Sequence, residues 1–197
     1  MATKAGSLLS LDEAKAALGI TDDTKDADIT ALVDGISARM EKALKGGILV
    51  QRSVIEDDMG GAKVREGRGS NKVRLKYGPL VSVTSIVDED DETIAATEYY
   101  LLKREASLVY LIGGWPAPSA DGYTWTATYT AGYADTQANV PDDVKRACKL
   151  QLKAEWARKN PDLKSKSFGD VQLTFRDSQD LLPEVEAALA PYVLRVW

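Results

Sequence analysis

The stretch Ser10-Leu-Asp-Glu-Ala-Lys-Ala-Ala-Leu-Gly19 shows how the chain begins to fold. It has the form of a capping box, in which the Ser10 hydroxyl accepts a hydrogen bond from the amide of Glu13 and the Glu13 carboxylate reaches back to the amide of Ser10. Gly19 suits the left-handed position that ends many helices. The stretch therefore predicts a short helix that extends through Leu18.

A second, longer helix is predicted after the polar residues 21–24. Its apolar side chains recur at the i, i+3, i+4, i+7 spacing of one helix face, and they are Ile29, Leu32, Val33, Ile36, Met40 and Leu44. Gly46 and Gly47 end this pattern. Because neither amphipathic helix can bury its apolar face alone, the pair predicts packing against further helices.

The pattern changes to a strand period between residues 48 and 135. In Tyr123–Ala131, aromatic and alanine side chains alternate with four threonines, which predicts a strand with one buried face. Other strand-like segments are Val73 with Leu75, Val81 with Val83 and Ser85, and Leu108–Ile112. Turn residues rich in glycine, proline and aspartate separate them, which predicts an antiparallel sheet or a small sandwich.

A helical pattern returns after residue 135. Pro141, Asp142 and Asp143 fit the start of a helix, and Asn160-Pro161 fits its end. Its predicted inner face holds Val144, Ala147, Cys148, Leu152 and Trp156, and a last short helix between Pro183 and Pro191 places Val185, Ala188 and Leu189 inward. We therefore predict an α+β protein: a bundle of about four helices (1–47 and 136–197) with an antiparallel β insertion (48–135) between the second and third helices.

Composition excludes several function classes. The 197 residues include no histidine and one cysteine, so Ser–His–Asp catalysis, HExxH zinc sites and an internal disulfide are impossible. No signal peptide or membrane-spanning run is recognised, so we expect a soluble protein made in a reducing cytoplasm. We predict no catalytic, cofactor or metal site and no membrane partner.

Charge is unevenly distributed along the chain. The formal net charge is −5, and residues 1–47, 48–135 and 136–197 contribute −2, −4 and +1. The segment 145–166 alone carries +6. Its default explanation is a solvated helix face, and the alternatives are contact with phosphate or with an acidic patch on another copy of the chain.

Other candidate sites have simpler structural explanations. The acidic run Asp88–Glu92 lacks the ligand spacing of a calcium loop and fits a solvated turn. The glycines between 60 and 69 form no phosphate-binding motif and fit a basic hairpin loop. Cys148 has no histidine to act as its base and fits a buried apolar position, and the period-2 spacing of Trp125 and Tyr129 favours a core face over base stacking.

Several phrases resemble one protein family in order along nearly the whole chain. They are LDEAKAALGI (11–20), TDDTKDADIT (21–30), GPLVSVTSI (78–86), YTAGYAD (129–135), VPDDVKRACKLQLKAEW (140–156) and VEAALAPYVLRVW (185–197). In this arrangement the chain resembles the head–tail connector proteins of tailed phages, also called adaptor or head-completion proteins.

The resemblance implies a structural virion protein, made in the host cytoplasm and placed at the head–tail junction. Copies would form a ring, of twelve subunits by the family expectation, under the portal. The ring would extend the channel for double-stranded DNA, without sequence specificity, and offer a docking surface to stopper or tail-completion proteins. The β insertion would take part in subunit contacts.

Two groups of residues are expected to make these contacts. The apolar tail, with strand propensity, is expected to dock on the portal; it consists of Tyr192, Val193, Leu194, Arg195, Val196 and Trp197. Basic residues are expected to face the channel or the next subunit, and they are Lys145, Lys149, Lys153, Lys164 and Lys166.

Three alternatives stay open. The closest is another neck component, a stopper or tail terminator, although these are expected to be mainly β. The others are a nucleic-acid-binding module that uses the basic helix and a carboxylate- or metal-dependent enzyme.

Overall fold

The computed structural model describes residues 6–57, 71–88, 90–113, 125–159 and 180–194. The chain divides into two compact units. The first, which we call the helical unit, combines Met1–Leu44 with Thr136–Tyr192. The second, which we call the strand unit, combines Lys45–Asp135 with Val193–Trp197.

In its described residues, the helical unit contains four α-helices. They are α1 (Leu11–Leu18), α2 (Asp26–Ala43), α3 (Asp142–Lys159) and α4 (Pro183–Leu189). Helix α3 packs against each of the other three, and α2 also contacts α1 and α4. The predicted inner faces of α2 and α3 are buried, with Ile36, Met40, Cys148 and Leu152 among the fully enclosed side chains.

The start of α1 has the predicted capping geometry. The Glu13 amide donates to Ser10 Oγ at 3.1 Å, and the Ser10 amide donates to Glu13 Oε2 at 2.9 Å. Gly19, with a φ of +69°, ends the helix in the left-handed conformation. The short sequence motif therefore determines both ends of α1, as predicted.

The residues of the strand unit that the structure describes form six strands in two antiparallel sheets. The strands are β1 (Arg52–Glu56), β2 (Lys72–Arg74), β3 (Leu80–Val87), β4 (Tyr99–Lys103), β5 (Leu108–Leu111) and β6 (Thr126–Ala131). The order is β1-β6-β3 in the first sheet and β2-β5-β4 in the second. The predicted fold class is confirmed, since the described part of the chain has four α-helices and the two sheets are inserted between α2 and α3.

Strand β6 supplies the predicted core face of this unit. Trp125, Ala127, Tyr129 and Ala131 are buried, while the threonines between them are half-buried. Strand β3 shows the predicted alternation, since Val81, Val83 and Ser85 are half-buried and the residues between them are exposed. Its fully buried side chains are Leu80 and Ile86, on either side of this run. Register shifts interrupt its pairing with β6.

Candidate functional site: a basic groove between two helices

Helices α3 and α4 border a groove of about 640 Å³ within the helical unit. Its apolar floor consists of Ala147, Leu150 and Ala188. The charged groups along it are Asp143, Arg146, Lys149, Lys153 and Glu184. The groove is thus apolar at its base and carries three cations and two carboxylates.

The three cations lie on one stripe of α3. Arg146, Lys149 and Lys153 follow the i, i+3, i+7 spacing, which places them on the same helix face. Arg146 and Lys153 are exposed, and neither has an acidic partner at hydrogen-bonding distance among the described residues. Within the described part of the chain, no acidic side chain pairs with these two cations of the stripe.

A buried glutamine holds the start of α4 beside α3. Gln151 is 1% exposed, and its Oε1 accepts from the Leu182 amide at 2.9 Å. Its Nε2 donates to Glu155 Oε1 at 2.7 Å and to the Asp180 carbonyl at 3.4 Å. Sequence periodicity did not predict the burial of Gln151, because a polar side chain on a helix is normally expected to be exposed.

The structure separates Lys145 from the other predicted lysines. Lys145 Nζ donates to Glu13 Oε1 at 3.0 Å and to the Ala138 carbonyl at 3.1 Å. Its charge is therefore paired within the helical unit. Lys149 and Lys153 lie together in the groove. Lys164 and Lys166 lie outside the described residues. Arg146 was not among the predicted site residues, although its spacing from Lys149 and Lys153 was a usable signal.

Glu13 links the helix cap to the basic helix. Burial acts to raise its pKa, but hydrogen bonds from Ser10 and Lys145 outweigh burial, and the pKa lies below its ordinary value. The carboxylate therefore stays charged at neutral pH and holds Lys145 in place.

The predicted docking segment 192–197 is partly engaged within the chain. The Tyr192 hydroxyl donates to Asp143, with oxygen–oxygen distances of 3.0 and 3.1 Å to the two carboxylate oxygens. Val193 is half-buried and Leu194 is 5% exposed. Arg195, Val196 and Trp197 lie outside the described residues.

Leu194 occupies a space in the strand unit that two glycines leave open. A Cβ on Gly78 would overlap the Ser107 hydroxyl and would lie 2.8 Å from Leu194 Cδ1. A Cβ on Gly46, whose φ is +104°, would lie 2.5 Å from the Lys76 carbonyl oxygen. We call this space the Leu194 socket.

The remaining candidates take the simpler roles predicted for them. Cys148 is fully buried, and burial raises the pKa of its thiol to about 12. Asp88 Oδ1 accepts from the amides of Asp90 and Glu92, which forms a turn after β3. The loop around glycines 60–69 lies outside the described residues. Within the ranges that the structure describes, no group of three or more potential ligands could hold a metal, and no helix is long and apolar enough to cross a membrane.

Comparison with known proteins gives one family and one fold. The family described as "Head completion protein" (HCP) matches residues 7–193. A chain in the neck of an empty gene transfer agent (GTA) particle, computed with C6 symmetry, superimposes with a TM-score of 0.65 at 17% identity. Chains from a native GTA virion and from a native GTA neck computed with C12 symmetry give TM-scores of 0.63 and 0.62 at 19% and 18% identity.

Each of these alignments covers 100% of this chain and 96% of the other chain. At such low identity they show that the fold is shared over its full length. No curated protein matched the chain.

Proposed function

The chain belongs to the head completion protein family, and from this membership we propose that it is the adaptor at the head–tail junction of a phage or phage-like particle. The family is structural, and the chain is not an enzyme. The observation that carries the proposal is the family match, which spans residues 7–193 and so includes both units. The resemblance seen in the sequence is thereby confirmed at the level of the family.

The adaptor would act as a ring under the portal. Two of the similar chains come from particle necks computed with C6 and C12 symmetry, which supports a cyclic assembly. We propose twelve copies, a central channel for double-stranded DNA, and a lower surface that receives a stopper or tail-completion protein. The mainly β architecture expected of a stopper or tail terminator does not fit a chain that contains helices α1 to α4.

The basic groove is proposed as a contact between neighbouring subunits. A DNA-facing surface needs cations directed at phosphates, whereas this groove also has an apolar floor and two carboxylates. An acidic protein segment with apolar side chains fits that combination better than a phosphate backbone does. Lys164 and Lys166 remain the candidates for the channel.

Segment 192–197 is proposed to dock on the portal through its last residues. Because Leu194 is enclosed within the strand unit, it can anchor the segment but cannot itself enter a portal groove. The contact would then depend on Arg195, Val196 and Trp197, in strand addition or in a groove.

The test is to mix the full chain with portal rings from its own particle and to measure the mass of the complex. We expect twelve copies for each portal ring and none in the tail tip of assembled particles. W197A should abolish portal binding and leave the fold intact, with V193A, at a half-buried position, as a milder change in the same segment. A complex of defined mass with a tail-tube protein, but none with the portal, would contradict the proposal.

A second pair of variants separates subunit contact from DNA contact. K149E/K153E should weaken ring formation on the portal, and K25E/K42E, which changes the same amount of charge on exposed residues of the helical unit, should not. If K149E/K153E rings form normally but retain packaged DNA poorly, the groove faces DNA instead.

A further inference from the structure

The outer face of the second sheet carries an apolar patch that nothing in the described chain covers. Tyr100, Leu102 and Ile112 are 48%, 41% and 58% exposed, and they account for three of the five large hydrophobic side chains exposed in the described residues. The rings of Tyr100 and Tyr110 stack with their centroids 4.9 Å apart. Ordered aromatic and aliphatic groups on an exposed sheet face are typical of a protein contact.

Cations flank this patch. Strand pairing places Arg74 opposite Leu108 on one side and Lys103 opposite Leu108 on the other. The next row across the sheet is Lys72, Tyr110 and Tyr100. The face therefore has an apolar centre between basic edges, and a partner with acidic groups around an apolar or neutral centre would fit it.

The strand unit itself presents an acidic group of that kind. In the turn after β3, the Asp88 carboxylate accepts two backbone amides, and the Asp88 amide donates to the Glu92 carbonyl at 3.0 Å. Asp90, Asp91 and Glu92 are exposed on this turn, and its hydrogen bonds order the backbone that carries their side chains. Preorganised charges lose little conformational entropy on binding.

These complementary charges do not meet within one chain. Across the described ranges, none of Arg74, Lys103, Asp90 or Glu92 takes part in an ion pair. From this we infer that the basic aromatic face of one copy receives the acidic turn of the next copy. Two different patches meet in such a head-to-tail contact, which is the kind that closes into rings. The inference rests on the proposed ring and names the surfaces that form it.

The test exchanges the charges on the full chain. Sedimentation velocity over a concentration series at low salt should show self-association of the wild-type chain. The double variants R74E/K103E and D90K/E92K should each raise the dissociation constant of self-association roughly tenfold. The variant with all four substitutions should have a dissociation constant within about threefold of the wild-type value, because its acidic sheet face can again pair with a basic turn. K25E/K42E is the charge-matched control, and thermal unfolding verifies that each variant folds.

Three outcomes would overturn the inference. The wild-type chain could stay monomeric to about 1 mM, the two charge reversals could leave self-association unchanged, or the variant with all four substitutions could self-associate more weakly than either double variant. If the reversals spare self-association but block binding to the portal, the face belongs to a different partner. The proposed function is tested by the number of copies bound to the portal, which is measured separately. Failure of this inference can therefore be distinguished from failure of the proposed function.

Discussion

The Tyr129 hydroxyl makes two hydrogen bonds inside the strand unit. It donates to Glu56 Oε2 at 2.8 Å and accepts from the Tyr77 amide at 3.2 Å. Burial, together with the Glu56 carboxylate, raises the pKa of Tyr129, so the phenol stays protonated and remains a donor. Glu56 is 5% exposed and also accepts from the Lys76 amide at 2.8 Å. One tyrosine thus joins β1, β6 and the segment before β3.

Tyr129→Phe should therefore destabilise the protein by about 1–3 kcal/mol, since it leaves the buried carboxylate with one donor fewer and the Tyr77 amide without its acceptor. Urea unfolding monitored by circular dichroism gives the free energy of unfolding. Tyr100→Phe removes a hydroxyl from an exposed ring of the same unit and should cost much less. Equal losses in the two variants would show that the Glu56 contact is not stabilising.

The burial of Tyr129 could be predicted from the sequence, but its partner could not. Period-2 spacing places Tyr129 on the face of β6 with Trp125 and Ala131, and that face is buried. Glu56 is acidic and follows the 67%-exposed Ile55. A charged residue becomes a buried partner only through contacts with residues distant in sequence, and local patterns carry no information about those contacts.

The same difference separates predicted from missed elements. Helix α1 has the capping box, and α2 and α3 have long apolar faces, so the positions of these helices follow from the sequence. Strands β1 and β4 were not recognised, because their sequences do not alternate apolar with polar residues. In the edge strand Arg52–Glu56 the apolar Ile55 is exposed and the acidic Glu56 is buried. In the edge strand Tyr99–Lys103 the first four residues are all aromatic or aliphatic, although only one face of the strand packs on the core. Lys149 and Lys153 were among the predicted basic residues and α4 was predicted as a short helix, but local patterns did not predict that Gln151 joins α4 to α3.

The capping box of α1 allows a prediction about pH. Ser10→Ala should lower the free energy of unfolding by about 1 kcal/mol at neutral pH. Because the pKa of Glu13 is lower in the folded chain than its ordinary value of 4.5, its stabilisation is complete above that value and is lost as the pH falls through the folded pKa. Glu13→Gln should therefore flatten the acid limb of the stability curve.

Urea unfolding from neutral pH down into the acid range, with wild type and both variants, measures this effect. Thr21→Ala is the matched control, because Thr21 is exposed and lies between α1 and α2. An acid limb of the same slope in wild type and Glu13→Gln would assign the acid sensitivity to other carboxylates.

At the scale of the whole molecule, the basic helix and the acidic insertion lie in different parts of the fold. The helical unit contains the basic helix α3, whereas the inserted residues 48–135 carry a net charge of −4. A single net charge of −5 conceals this separation. Both proposed subunit contacts, the groove and the sheet face, depend on opposite charges that lie in different parts of one chain, which suits copies that repeat around a ring.

The Leu194 socket leads to a prediction that distinguishes the two units. Leu194→Ala should remove about 2–5 kcal/mol of stability, as expected for a buried leucine that leaves a cavity. Hydrogen exchange should show the loss in strands of the strand unit before it appears in α2 and α3. Val193→Ala, at a half-buried position next to it, should have a smaller effect. Loss of protection in the helices first would show that Leu194 does not stabilise the strand unit.

The socket also orders events during synthesis. Gly46 and Gly78 are translated early, but the side chain that fills the space beside them comes after α4. A nascent strand unit therefore leaves this space unfilled until Leu194 has been translated and has left the ribosome, even though the six described strands precede Leu194 in the chain. Chains that end before Leu194 cannot fill the Leu194 socket, so only chains translated through both units can complete the packing of the strand unit.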